Sequence, residues 1–123
     1  MNEFDTARCK LALKLIDAFL SKDGSLTRII GDLRGLIILL AENEAELSRP
    51  LKDKLRILEQ VRAHSFYRRS SAMSPESRAS VKATLTEMNK LIREAVLDAD
   101  RIELHAFSDN ERTAAAVLVD LSL

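Results

Sequence analysis

Few side chains in this sequence could do covalent chemistry. Cys9 is its one cysteine, and His64 and His105 are its two histidines. A nucleophilic cysteine needs a base or a cation beside it to hold the thiolate, and no histidine adjoins Cys9 in the chain. Cys9 falls among apolar residues on a helical projection, so the expectation is a buried, inert thiol. His64 borders an apolar stripe and is expected to pack or to face solvent. One cysteine and two distant histidines do not make a structural zinc site, and the E-x-x-H spacing of di-iron bundles does not occur. Gly24, Gly31 and Gly35 stand apart and form no phosphate-cradling loop. No catalytic residue, metal ligand or cofactor site is expected, and the chain is read as a non-enzyme.

Charge is the remaining chemistry. Formal net charge is zero, with 19 basic and 19 acidic residues, so no global field points to nucleic acid or membrane. The charges are nonetheless segregated. Glu42, Glu44 and Glu46 crowd one short stretch. Acid at a helix C-terminus opposes the helix dipole, whereas acid at the next helix's N-terminus favours it; both readings are open for these glutamates. The segment that follows is basic: Arg49, Lys52, Lys54, Arg56, Arg62, Arg68 and Arg69 against Asp53 and Glu59. The candidate partner-binding residues are therefore Glu42, Glu44, Glu46, Arg62, Arg68 and Arg69. Phe66 and Tyr67, set among the arginines, add a nucleic-acid reading in which cations meet phosphates and rings stack on bases. Basic residues near a helix C-terminus are also expected from the dipole alone.

These residues must be positioned by helices. The clearest runs from Ser74 to Ala95. Ser74 is placed to cap, Pro75 suits the first helical position, and Val81, Leu85, Met88, Ile92 and Ala95 recur every three or four residues on one stripe. This fourth helix is expected to end near Asp100 or Leu104. The first helix is read from about Glu3 to Ser21, capped by Asn2, with Phe4, Leu11, Leu15 and Ala18 on one face and Cys9, Leu13, Ile16 and Leu20 on another. Gly24, in the left-handed conformation, is expected to stop it. Ser25 caps a second helix whose stripe is Leu26, Ile29, Ile30, Leu33, Leu36, Ile37 and Leu40. Gly31 and Gly35 lie opposite that stripe, either as a close-approach face or as tolerated surface glycines. The third helix is read from Arg49 or Pro50 to Arg69 on Leu51, Leu55 and Leu58, with Arg62 inside the stripe and needing either an exit to solvent or a buried carboxylate.

The fold expected is all-α: an antiparallel bundle of four main helices with a short C-terminal helix. Ser108-Asp109-Asn110-Glu111 has capping-box spacing, and the apolar tail after it is expected to cover the second face of the first helix around Leu13, Ile16 and Leu20. At 123 residues the chain is read as one domain, with a core over 3–104 and a packing segment over 105–123. The acidic start M-N-E-F-D and the lone cysteine point to a cytoplasmic setting, and the apolar run Leu36–Ala41 is far too short for a membrane span.

The order of the signals carries a resemblance. Leu15-Ile16-Asp17-Ala18-Phe19-Leu20 is followed by Ser25-Leu26, by Leu33-Arg34-Gly35-Leu36-Ile37, by Leu58-Glu59-Gln60-Val61 and by Leu85 through Ile92. Over roughly residues 7 to 98 this resembles the small all-helical immunity proteins of bacterial contact-dependent inhibition and polymorphic toxin systems. It departs from them in the stretch Val61-Arg62-Ala63-His64, where an aromatic, more neutral run is usual. The resemblance implies a protein that binds and neutralises a cognate toxin domain, a nuclease among the candidates, by covering its active site or substrate surface. The competing classes are a nucleic-acid-binding regulator using the basic third helix and an adaptor that self-associates through the first.

Overall fold

The computed structural model describes residues 1–22, 24–67 and 73–122, with side chains described to residue 65 and from 73 to 100. Four helices follow one another: α1 over Glu3–Lys22, α2 over Leu26–Leu40, α3 over Ala45–Tyr67 and α4 over Pro75–Ser122. No strand occurs among the described residues. Each start is written locally. The Asn2 side chain accepts the Asp5 N–H at 2.7 Å. Ser25, in extended backbone, accepts the Arg28 N–H at 3.3 Å. Ser74 accepts the Ser77 N–H at 3.1 Å. Each bond satisfies a first-turn donor that has no partner within its helix.

Each helix packs on the two that precede and follow it, and α4 closes the ring on α1. Short connections reverse the chain between α1, α2 and α3, Met1 lies beside Leu91–Ala99 of α4, and cross-links tie the seams. Asp17 near the end of α1 meets Asn89 at 3.0 Å and Arg93 at 3.5 Å on α4. Lys54 on α3 pairs with Glu87 on α4, and Arg34 on α2 pairs with Glu59 on α3. Neighbouring helices therefore run antiparallel, an up-and-down bundle. The expected core is the observed one: Leu33, Ile37, Leu55, Leu58, Leu85 and Ile92 are all buried, joined by Cys9, Ile16, Ile30, Leu40, Leu51 and Met88. Exposed ion pairs of this kind contribute about 0.2–1 kcal/mol each, so the seams are held chiefly by apolar burial.

Several expectations are corrected. The helix α3 begins at Ala45, not at Arg49 or Pro50, so Pro50 lies inside it. The Glu44 N–H bonds the Leu40 carbonyl at 2.7 Å and the Glu44 carbonyl takes the Ser48 N–H at 2.9 Å. The chain is thus already wound before Pro50, which forgoes a bond to the Glu46 carbonyl. The buried Ser48 hydroxyl donates to the Ile37 carbonyl at 3.2 Å and ties this turn to α2. Gly24 is not in the left-handed region; the α1–α2 turn is made without that device. Gly31 and Gly35 face open space and are surface glycines, not a close-approach face.

The face of α1 around Leu13, Ile16 and Leu20 is closed by the bundle itself, with Ile16 fully buried and Leu13 and Leu20 packed against the core. Whether the tail adds to that cover lies outside the described side chains. The face left open is the other one, where Phe4 is 72% and Leu11 48% exposed. The separate short C-terminal helix is not seen either: α4 is one element to Ser122. How residues 105–123 pack lies outside the described side chains.

Two opposite stability effects follow. Leu85→Ala removes a fully buried side chain and should cost about 2–5 kcal/mol. Gly31→Ala and Gly35→Ala meet no neighbour and should each add roughly 0.5–1 kcal/mol. Chemical denaturation of the three variants checks both signs; a neutral Leu85→Ala would mean that the α4 stripe is not core.

Candidate functional site

The up-and-down order brings three chain segments to one end of the bundle: the start of α1, the α2–α3 turn, and the stretch of α4 from Leu91 to Ala99. They enclose a groove of about 430 Å3. Leu47, Leu91, Ala95 and Ala99 give it apolar walls, and Glu44, Glu46, Glu94 and Asp98 give it four carboxylates, with Met1 at one side. Glu44 and Glu46 come from the turn and the first turn of α3. Glu94 and Asp98 face them from α4, one helical turn apart.

Two of the six expected residues are therefore brought together. Glu44 is half-buried and Glu46 exposed, and both line the groove. Glu42 is exposed in the turn and does not line it. The position of Glu46 in the first turn of α3 favours the reading in which acid supports the next helix's positive end. Arg62 is exposed and does not enter the core, the exit to solvent that its long stem allows. Arg68 and Arg69 lie outside the described residues. His64 is exposed, and the side chain of His105 lies outside the described set.

Glu94 and Asp98 were missed, although the sequence holds a signal for them. Two like charges four apart on a helix repel by about 0.2–0.5 kcal/mol, and neither sits in a first turn where a helix dipole would offset that. Only the antiparallel return of α4 shows that they face Glu44 and Glu46.

The Met1 ammonium lies 4.0 Å from Glu44 Oε1 and offsets part of the negative charge, and among the described residues no group of three or more His, Cys, Asp or Glu could hold a metal ion. Next to the groove, Cys9 is buried, its S–H 3.8 Å from the Met1 sulfur. Burial, and then the charges of Asp5 and Glu44, push its thiol from 9.0 to about 11. Asp5 is itself buried. One carboxylate oxygen accepts from Arg8 Nη1 at 2.8 Å, and the other has no protein partner. No described helix is long and apolar enough to cross a membrane.

The thiol makes a checkable case. Because the folded state keeps its proton where the unfolded chain releases it, stability should fall as pH rises from about 9 to about 11. Cys9→Ala should flatten that part of the profile. In the native protein at neutral pH the thiol should resist alkylation until the bundle unfolds; rapid native labelling would contradict the burial.

No protein-family model, curated protein or solved structure matches the chain, so its geometry and its sequence carry the functional reading.

Proposed function

We propose that this chain is an immunity-type inhibitor that binds a cationic surface of a toxin domain through its acidic end and blocks that surface, with no chemistry of its own. The observation that carries the reading is the groove of four carboxylates over apolar walls, in which Glu94 and Asp98 are kept against their mutual repulsion. A local rule broken at a surface groove marks a site more often than a packing need. The resemblance of residues 7 to 98 to helical immunity proteins points the same way. A nuclease toxin holds its substrate in a basic cleft, and such a cleft is the complement of this groove. Affinity of this kind is steered: opposite fields raise the association rate, and salt screens them. The setting proposed is the bacterial cytoplasm, where the toxin would act.

The test is binding to the toxin domain encoded beside this chain. The association rate should drop as ionic strength rises. Glu94→Lys with Asp98→Lys should slow association by about tenfold or more and abolish protection of cells. The same double variant should leave the bundle folded. Arg62→Glu, far along α3 from the groove, should leave protection intact. Full protection by the double lysine variant would move the interface elsewhere. Absence of binding, together with salt-sensitive RNA or DNA binding that Arg62→Glu weakens, would replace this reading with the nucleic-acid one.

A further inference from the structure

We draw no further inference here: the strongest candidate, the open apolar face of α1 at Phe4 and Leu11 with the cleft of about 310 Å3 between α1 and α2 at its far end, carries nothing, because Lys22 and Arg28 at the cleft stand against Asp32 and nothing in the structure shows what covers the face.

Discussion

Closure of four apolar stripes on one another is the constraint from which the rest of the structure descends. Each helix is amphipathic and none can hide its stripe against a single neighbour. Leu58 of α3, Leu85 and Met88 of α4, Ile16 of α1 and Ile30 of α2 are all buried to the last few square ångströms, and that requires α4 to return to α1. The return runs antiparallel with connections of only a few residues, so elements far apart in sequence are forced to share ends. Nothing in the chemistry of Glu44 or Glu94 draws them together. They meet because the core places the first turn of α3 beside the middle of α4.

The acidic end is affordable for the same reason. Crowded carboxylates repel, but the N-termini of α1 and α3 also point to this end, and each offers unsatisfied N–H groups and a positive dipole. A first-turn acid there gains about 0.3–1 kcal/mol, comparable to or larger than the 0.2–0.5 kcal/mol or so that the Glu94–Asp98 repulsion costs. Both are small beside the several kcal/mol carried by single core leucines. The end can therefore hold excess negative charge without threatening the bundle.

Much of the bundle was legible in the sequence. The caps Asn2, Ser25 and Ser74 sit where the polar residue and the following apolar period place them, and the stripe of α4 is buried at Val81, Leu85, Met88 and Ile92, with Ala95 half-buried at its end. The misreadings have specific causes. Pro50 suggested a helix start because proline suits the first turn, yet the local bonds of Glu44 start α3 earlier. Gly24 looked like a left-handed stop, yet the turn closes without one. The first helix showed two apolar faces, and periodicity alone could not say which one the bundle would take. The acidic turn was readable as charge, but its partners on α4 were not, since a contact between the α2–α3 turn and residue 98 is set by topology and leaves no local trace.

The acidic groove and the open face of α1 differ in what they cost the fold. The acidic groove can be altered at little cost, because its exposed charges contribute little to folding. The apolar face of α1 is different. Phe4 and Leu11 gain nothing from exposure to water, and polar residues there would leave the core untouched, because Cys9, Ala12, Ile16 and Phe19 already form the buried stripe. Folding does not need the open stripe, and solubility is harmed by it. One stripe of α1 thus closes the core and the other stays open to solvent, while the carboxylates gather at the end of the bundle where α1 and α3 begin.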